Sequence, residues 1–351
     1  MFDRHFKGDI ISLTDHCRIC GESKGMQIGI VDYWDIKTSN LVQCPKCGHI
    51  QLDPMLNEEE TAKGCHAYFI EESLRTSKDE QIKNCERNFR RGIVFGYKLK
   101  RRGVFPESVL EAGPGSGFFS AGLRFVFPDI KITVMDINSD ILKSAGRQHG
   151  FETIQQIPDH FVPACVGKFD LIIARDILEH VTDISKVLEN IYEYLRTGGI
   201  LHFITPNGKE DVWGHYLTYK LEGTASELLI NHVNYFDGKG LEELLIRQGF
   251  RKVEYFTYTV KTFIRGKGWK ESRKLMNPVS TKKSADLFIN QKSSEMADII
   301  CDKRLILNKW YIRSRFKIIT RTWCQVHHYI LIKIRPERNI GHEIYGLFRK
   351  V

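Results

Sequence analysis

Four of the nine cysteines form two C-x-x-C pairs separated by 23 residues: Cys17 with Cys20, and Cys44 with Cys47. Four thiolates match the ligand number of a tetrahedral zinc site, in which each Zn–S bond is about 2.3 Å long. A glycine follows each pair and permits the tight turn of a zinc ribbon. Because four sulfur ligands leave no open position for water, the pattern predicts a structural zinc ion, with His49 as a turn residue. Four buried free thiols and a redox C-x-x-C pair are the alternatives.

A second candidate site is a glycine-rich turn between the strand-like run SVLE and a helix-like run. It contains Gly113, Gly115 and Gly117, and Glu111 precedes it. Glycines permit close approach of the backbone to a ligand, although a turn that binds nothing is the alternative. Asp136 ends the next strand-like run, where a carboxylate can accept hydrogen bonds from both hydroxyls of a ribose. Together the two features predict a nucleoside-containing cofactor.

The residues around the loop favour one such cofactor. The dehydrogenase fingerprint G-x-G-x-x-G requires glycine where this chain has Phe118, and its loop receives a negatively charged pyrophosphate. The carboxylate of Glu111 would repel that group. The carboxylate suits the ammonium group of a methionine moiety instead, and the same ligand would also carry a sulfonium cation. The sequence therefore predicts S-adenosylmethionine.

Elements that could position these residues follow from the pattern of runs along the chain. Strand-like and helix-like runs alternate between residues 107 and 256, beginning with SVLE, FFSAGLRFVF, KITVMD and DILKSAGRQHG. Such alternation predicts a doubly wound α/β fold, with a parallel sheet covered by helices on both faces. The run HEIYGLFRK near the end of the chain looks like one more strand.

Four segments in this order and spacing resemble the motifs of class I S-adenosylmethionine-dependent methyltransferases: VLEAGPGSG, VMDIN, FDLIIARDILEHVTD and LRTGGILHFITPN. The resemblance covers about residues 80–260 and 341–350. It implies a Rossmann-like sheet of seven strands in the order 3-2-1-4-5-7-6, with the seventh strand antiparallel. HEIYGLFRK would fill that seventh place.

The resemblance also implies roles for single residues. Glu111 and the three loop glycines would line the methionine end of the cofactor, Asp136 would take the ribose and Ile137 would lie against the adenine. Arg175, at the end of the fourth strand, is assigned to the cofactor wall. Many relatives have an acidic residue near the adenine amine. The adenine contact stays open here, because the residues at that place are Gln155, Gln156 and Asp159.

Two histidines are candidates for a catalytic base, which methyl transfer needs only when the acceptor must lose a proton. His180 follows the fourth strand at the carboxyl end of the sheet, where ligands of doubly wound folds bind. Its alternative role is to cap a helix and shape the cofactor wall. His232 lies after the fifth strand in an H-x-x-x-F segment that ends at Phe236 and that similar methyltransferases carry. Packing of this segment against the domain is the alternative for His232.

The N-terminal segment leaves the methyl acceptor open. LVQCPKCGHIQLDP ahead of such a domain resembles bacterial methyltransferases with an N-terminal zinc-ribbon module, many of which modify sugars or other small natural-product precursors. Some ribosomal-RNA guanine methyltransferases also carry a zinc ribbon in front of the domain. The ribbon therefore does not identify the substrate.

The net charge of +9 resides in the C-terminal part of the chain. Residues 261–351 hold 21 Lys and Arg against 7 Asp and Glu, a net +14 that leaves −5 on residues 1–260. Residues 303–334 read as a basic amphipathic helix, with an apolar stripe at spacings of three and four: Ile312, Phe316, Ile319, Trp323, Val326 and Ile330. This helix could dock on the domain, lie on an anionic membrane surface or bind nucleic acid. The bulky stripe favours a membrane over nucleic acid.

Five segments are predicted along the chain: a zinc ribbon in residues 1–56, a helical linker in 57–105, the cofactor-binding core in 106–260, a basic helical insertion in 261–340 and a last core strand in 341–351. Hydrophobic residues at 42% and charged residues at 27% are typical of globular proteins. Neither a signal peptide nor a spanning segment is expected. We expect a cytoplasmic protein that attaches peripherally to the inner membrane surface.

The predicted function is methyl transfer from S-adenosylmethionine to a small or lipid-linked acceptor, such as a sugar, polyketide or quinone-like hydroxyl. Oxygen is favoured over carbon as the target atom. The alternative enzyme is an RNA base methyltransferase that holds RNA with its ribbon and basic tail. A cofactor-binding scaffold without turnover is the non-enzymatic alternative.

Overall fold

The computed structural model describes residues 8–34, 36–75, 77–209, 211–212, 228–229, 232–258 and 343–351. The predicted basic insertion, residues 261–340, lies outside these ranges together with its amphipathic segment 303–334. The aromatic and histidine side chains at positions 213, 215 and 216 also lie outside them. The described residues up to 257 form one compact unit with residues 343–351.

The N-terminal segment folds into antiparallel strands joined by two cysteine-bearing turns. The strands are β1 (Ile10–Ser12), β2 (Lys24–Tyr33), β3 (Lys37–Gln43) and β4 (Ile50–Asp53). One cysteine pair lies between β1 and β2, and the other lies between β3 and β4. Asp53, at the end of β4, stabilises the segment before the first cysteine turn, because its carboxylate accepts hydrogen bonds from the backbone of Thr14 and Asp15.

Two helices connect this sheet to the core: α1 (Glu58–Arg75) and α2 (Lys78–Arg101). Ser77 and Glu80 form a capping box that satisfies backbone donors at the start of α2. The apolar face of α2 is buried at Phe89 and Ile93, but Tyr97, four residues after Ile93, is 53% exposed. A helix has 3.6 residues per turn, so residues spaced by four rotate gradually away from the buried side of the helix. Beyond Ile93 the buried side continues through Gly96 and Leu99.

The core is a seven-stranded mixed sheet. Its strands are β5 (Ser108–Ala112), β6 (Lys131–Asp136), β7 (Glu152–Gln155), β8 (Phe169–Arg175), β9 (Leu195–Pro206), β12 (Phe250–Tyr258) and β13 (Glu343–Lys350). They are ordered β12-β13-β9-β8-β5-β6-β7, and β13 runs antiparallel to β9 while the ladders from β7 to β9 are parallel. This order is the predicted 3-2-1-4-5-7-6 arrangement, so the α/β fold class is confirmed.

Four helices follow core strands along the chain: α3 (Phe118–Val126), α4 (Ser139–His149), α5 (Ile184–Tyr194) and α6 (Gly238–Arg247). Helices α2 and α3 cross closely. A Cβ atom at Gly92 would lie 2.0 Å from the Phe119 carbonyl oxygen, and one at Gly122 would lie 2.0 Å from the Phe89 carbonyl oxygen. The two glycines therefore let the backbones of α2 and α3 touch.

The cysteine-bearing segment and the core sheet share one hydrophobic core. Cys17, Ile19 and Cys44 are buried in the same cluster as Leu241 and Leu244 of α6. Two strands from the connection after β9 also extend the N-terminal sheet: β10 (Leu228–Leu229) pairs with β2, and β11 (Asn234–Tyr235) pairs with β4. The apolar residues of the cysteine turns are thus buried together with residues of the core.

None of the helices in the described part of the chain has the length and apolar character needed to cross a bilayer.

Candidate functional site

The glycine loop connects β5 to α3 in a left-handed backbone conformation. Gly113, Gly115 and Gly117 have φ angles of +61°, +52° and +72°. A Cβ atom on Gly113 would lie 1.9 Å from Cδ1 of Ile177, and one on Gly117 would lie 2.9 Å from the ring of His149. A Cβ atom on Gly115 would meet no atom within 4 Å. Packing therefore requires glycine at 113 and 117, whereas Gly115 faces open space that a ligand can fill.

Glu111 lies behind this loop as a buried carboxyl. Its side chain is on β5, and the hydroxyl of Ser120 on α3 donates a hydrogen bond to Oε2 at 2.5 Å. Burial raises the pKa of Glu111 to about 7, although the Ser120 hydrogen bond and the charge of Arg175 act in the opposite direction. A cationic ligand group beside Glu111 would stabilise the carboxylate form. The position thus suits an ammonium group.

Asp136 ends β6 beside the glycine loop, because Met135 pairs with Ala112 in the parallel β5–β6 ladder. Its Oδ1 accepts a hydrogen bond from the Asn138 backbone at 2.8 Å, which orients the carboxylate at the start of α4. Burial raises the pKa of Asp136, while backbone donors at Asn138 and Ile137 lower it. The half-buried carboxylate at a strand end can accept ribose hydroxyls, and the adjacent Ile137 is exposed.

The candidates for the adenine contact differ in their surroundings. Asp159 is buried and accepts hydrogen bonds from the Thr182 hydroxyl at 2.9 Å and the Asp183 backbone at 3.0 Å. It therefore holds the turn that begins α5. Gln156 contacts His160 through Oε1, and the side chain of Gln155 reaches the backbone of Ile137 at 3.4 Å. Gln155 is thus the closest of the predicted group to Ile137.

Arg175 ends β8 and reaches α3. Its guanidinium stacks over the Phe119 ring, 4.2 Å from the centroid, and its charge acts on Glu111. The structure therefore places Arg175 near the carboxyl behind the glycine loop.

A second group of side chains meets after β8 and β9. We define the histidine cluster as Glu179, His180, Asp211 and His232. One carboxylate oxygen of Glu179 and one ring nitrogen of each histidine lie within 4.8 Å of one another. The two histidine rings stand edge to face, with centroids 4.9 Å apart. The structure thus brings together both histidines that the sequence singled out.

Glu179 and Asp211 are members of this cluster that sequence reasoning did not assign a role. Glu179 is 1% exposed and accepts a hydrogen bond from the Thr205 hydroxyl at 2.9 Å. Burial raises its pKa to about 8, against the opposing charge of His232. Asp211 accepts a hydrogen bond from Nδ1 of His232 at 2.7 Å. No spacing pattern relates Asp211 to His232, so the pair is recognisable only in three dimensions.

Backbone hydrogen bonds hold His232 in this cluster. The next residue, Val233, donates from its nitrogen to the Glu179 carbonyl at 3.0 Å and accepts from the Leu52 nitrogen at 3.3 Å. The Asn234 side chain donates to the Val181 carbonyl at 2.6 Å. The segment therefore runs between the N-terminal sheet and the turn after β8, and it is fixed from both sides.

The four predicted metal ligands converge at the N-terminal sheet. Sγ of Cys17 lies 3.5 Å from Sγ of Cys47, and Sγ of Cys20 lies 3.5 Å from Sγ of Cys44. All four sulfur atoms lie within 4.8 Å of one another. A tetrahedron with Zn–S bonds of about 2.3 Å has edges of about 3.8 Å, so the arrangement fits a zinc ion.

The two cysteine turns have the same backbone geometry. The glycine after each pair has a positive φ, +74° at Gly21 and +76° at Gly48. Their nitrogens donate to the carbonyls of Cys17 and Cys44 at 2.8 and 3.0 Å. His49 is fully buried and stacks on Phe236 with centroids 5.4 Å apart. It therefore packs the sheet against the segment that carries His232.

Comparison with known sequences finds two kinds of relative. The chain is 25% identical over 111 residues to malonyl-[acyl-carrier protein] O-methyltransferase of Legionella pneumophila, covering 31% of this chain and 39% of the relative. It is 27% identical over 117 residues to ubiquinone biosynthesis O-methyltransferase of Proteus mirabilis, covering 32% and 46%. The chain thus spans less than half the length of either relative.

Solved structures and a family model also match. A SAM-dependent methyltransferase from Archaeoglobus fulgidus is 14% identical with a TM-score of 0.41, covering 81% of this chain and 99% of that one. N-methyltransferase NodS from Bradyrhizobium japonicum, solved with S-adenosyl-L-homocysteine, is 17% identical with a TM-score of 0.35, covering 48% and 77%. The family model described as a methyltransferase domain matches residues 79–255. Because that match spans half of the chain, the protein belongs to the methyltransferase domain family.

Proposed function

We propose that the protein transfers a methyl group from S-adenosylmethionine to a hydroxyl of a small or lipid-linked acceptor. The observation that carries this proposal is the glycine loop, in which a Cβ atom on Gly115 would meet open space, together with the buried Glu111 and the half-buried Asp136 on the adjacent strands β5 and β6. These groups lie at the carboxyl ends of β5 and β6, the edge at which doubly wound sheets bind ligands.

Each residue of this loop region has a task in holding the cofactor. Glu111 would bind the ammonium group, Asp136 would accept the ribose hydroxyls and Ile137 would cover one face of the adenine. When bound, S-adenosylmethionine supplies a methyl group activated by the sulfonium. The protein contributes orientation and exclusion of water, which account for much of the catalysis of an in-line displacement.

A hydroxyl acceptor is supported by the histidine cluster, and an oxygen atom as the methyl target is supported by the names of the relatives. His180 and His232 lie beyond the carboxyl end of β8, next to the strand that carries Glu111. A histidine can take the proton that a hydroxyl loses on methylation. The curated relatives are named for O-methylation of malonyl-[acyl-carrier protein] and in ubiquinone biosynthesis. Sugar, polyketide and quinone-like hydroxyls belong to this acceptor class, and an acidic carbon is the second target.

The four cysteines would hold a structural zinc ion. With all four positions taken by sulfur, the ion stabilises the fold and does no chemistry on the substrate. Its cross-link joins the turn before β2 to the turn before β4. The strand β4 in turn pairs with β11, next to His232.

The basic insertion would place the enzyme on an anionic membrane surface from the cytoplasmic side. The support is the composition of residues 303–334, where arginines and lysines flank a bulky apolar stripe. Co-sedimentation with vesicles of anionic lipid, lost on deletion of residues 303–334, is the expected result. Binding to RNA that falls steeply with salt would favour an RNA acceptor instead.

The experiment that tests the function is transfer of labelled methyl from S-adenosylmethionine into extract that is afterwards separated into RNA, lipid and small-molecule fractions. Label in lipid or small molecules is expected, and Asp136→Ala serves as the blank. Label in RNA would replace this proposal by the RNA methyltransferase. Binding of S-adenosylhomocysteine without label in any fraction would indicate a scaffold without turnover.

A further inference from the structure

The two histidines of the histidine cluster stand in different surroundings. His232 has a carboxylate partner, since its Nδ1 lies 2.7 Å from Oδ2 of Asp211. His180 lies in the turn at residues 178–180 and presents its ring to that of His232. The His232 side chain is 13% exposed and that of Asp211 is 23% exposed, so solvent reaches the pair only in part.

We propose that Asp211 and His232 act as one base unit, in which His232 is the catalytic base and Asp211 is its positioning residue. This inference rests on the proposed function, because a proton has to be removed only if a hydroxyl is methylated. It goes beyond that function by selecting one of the two histidines and by giving Asp211 a role that its position in the sequence does not indicate.

The hydrogen bond settles the tautomer of the base. A carboxylate is only an acceptor, so Nδ1 of His232 must carry the hydrogen and Nε2 presents its lone pair. As the bond from acceptor oxygen to methyl forms and the bond from sulfur to methyl breaks, the hydroxyl proton passes to Nε2. The products are the methyl ether, neutral S-adenosylhomocysteine and a protonated His232. Asp211 stabilises that imidazolium, which then releases its proton to water.

The charges around His232 support this role. Burial lowers its pKa, but the hydrogen bond and charge of Asp211 outweigh this, and the pKa lies above its usual value. Glu179 and Asp176 add to the increase. The titratable groups facing His232 from the elements around it are His180, Glu179, Asp176, Asp211 and Tyr235. Asp211 is the acid hydrogen-bonded to the ring, so it is the main group that stabilises positive charge there.

The base unit also defines the class of acceptor. An unprotonated amine attacks through its own lone pair and loses a proton only afterwards, so it gains little from a base in the transition state. A neutral hydroxyl becomes a strong nucleophile only as its proton leaves. An enzyme with a poised histidine and carboxylate therefore fits a hydroxyl acceptor better than an amine.

A histidine titration by NMR tests the pair without any acceptor. In the full-length zinc-loaded protein with labelled histidines, Asp211→Asn is expected to lower the pKa of His232 by about one to three pH units. The matched control is Glu58→Gln, which removes a carboxylate 2.8 Å from Nε2 of the exposed His160. It should affect only the His160 signal. An unchanged His232 pKa in Asp211→Asn would overturn the proposal.

Methyl transfer provides the second readout, with the extract fraction that the wild type labels as the acceptor. Asp211→Asn is expected to label it about 100-fold more slowly, with the acid limb of the pH profile moved to lower pH and unchanged affinity for S-adenosylhomocysteine. Asp211→Glu, which keeps the charge, should recover part of the rate. A wild-type rate in Asp211→Asn would contradict the role of Asp211.

Cobalt binding distinguishes a base from a metal ligand. One equivalent of Co²⁺, bound by the four cysteines, is expected in both the wild type and Asp211→Asn. A second equivalent that disappears in His232→Gln would overturn the base unit, because a metal ion would occupy the nitrogen that takes the proton. Failure of the proposed function would look different. The wild type would then label RNA or no fraction at all, whatever the His232 titration gives.

Discussion

The glycine loop region and the histidine cluster are assembled in different ways, although they lie at the same edge of one sheet. The residues proposed to hold the cofactor around the glycine loop lie between 111 and 137, within one strand-loop-helix-strand unit. The histidine cluster draws on three places along the chain, at 179–180, 211 and 232, and its last member is fixed by β4 of the N-terminal sheet. Local backbone rules suffice for the first site, whereas the second depends on packing between distant segments.

Each site contains one buried carboxyl, and the two carboxyls show the same contrast. Glu111 is bonded to Ser120, nine residues later on the adjoining helix, whereas Glu179 is bonded to Thr205, 26 residues away. Burial raises the pKa of both. The charge that opposes this increase comes from a distant segment in both sites, Arg175 for Glu111 and His232 for Glu179. The two carboxyls therefore differ in their hydrogen-bond partners, which are close along the chain in the first site and more distant in the second.

Removal of a proposed zinc ligand should disturb the histidine cluster and leave cofactor binding nearly unchanged, and it has the largest expected effect on stability. Cys44→Ser is expected to release zinc and lower the free energy of unfolding by more than about 3 kcal/mol. The His232 NMR signal should change, because β4 lies next to the strand that fixes it. Affinity for S-adenosylhomocysteine should stay within about twofold, since Glu111 and Asp136 are held by hydrogen bonds with Ser120 and Asn138 of their own strand-loop-helix segments. Zinc analysis, denaturant unfolding, NMR and calorimetry measure the four quantities.

Cys165→Ser is the matched control, because Cys165 is a buried cysteine outside the metal cluster. It should cost about 1–2 kcal/mol for burying a hydroxyl and leave zinc and the His232 signal unchanged. Equal loss of cofactor affinity and His232 order in Cys44→Ser would show that the two sites form one cooperative unit.

Asp136→Ala should weaken cofactor binding and leave the zinc site and the histidine cluster unchanged, which is the opposite of the result expected for Cys44→Ser. Loss of hydrogen bonds to two ribose hydroxyls is expected to weaken S-adenosylhomocysteine binding by at least about 100-fold, or about 2.7 kcal/mol. Zinc content and the His232 titration should not change. The control is Asp140→Ala, which removes an exposed carboxylate from the adjoining helix. Wild-type affinity in Asp136→Ala would exclude the ribose assignment.

The contrast explains what could be predicted from the sequence. The alternation of strands and helices and the glycine loop depend on periodic runs and on positive φ angles that glycine adopts, and both are readable in one segment at a time. The order of the seven strands is not local, and it is predicted only through the resemblance to class I methyltransferases. The spacing of the cysteines reflects two similar turns. Asp211 carries no such pattern, because its partnership with His232 results from the packing of a long connection. The shared core of the N-terminal sheet and α6 has no sequence signal either, since apolar residues in turns do not indicate their partner.

The pH dependence of cofactor binding tests the local tuning of Glu111. An ammonium ligand binds the carboxylate form, so affinity should rise as the pH rises through the pKa of about 7. Between pH 6 and pH 8 calorimetry should find an increase of about tenfold for S-adenosylhomocysteine. Glu111→Gln should bind more weakly with little change over this range. A flat profile in the wild type would mean that Glu111 does not face the ammonium group.

The smallest expected effect is at the seam between the two sites, where Gly113 packs against Ile177. Gly113→Ala should lower the free energy of unfolding by about 2 kcal/mol, from left-handed strain and a clash with the Ile177 side chain. In an Ile177→Ala background only the strain remains, so a double-mutant cycle by denaturant unfolding should give a coupling of about 1 kcal/mol. Gly115→Ala has the strain without the clash and should be additive with Ile177→Ala. Ile177 precedes the turn that carries His180. Coupling at Gly113 alone would therefore show that the glycine loop contacts the segment before this turn at Gly113. Equal coupling at both glycines would mean that the loop moves as a whole.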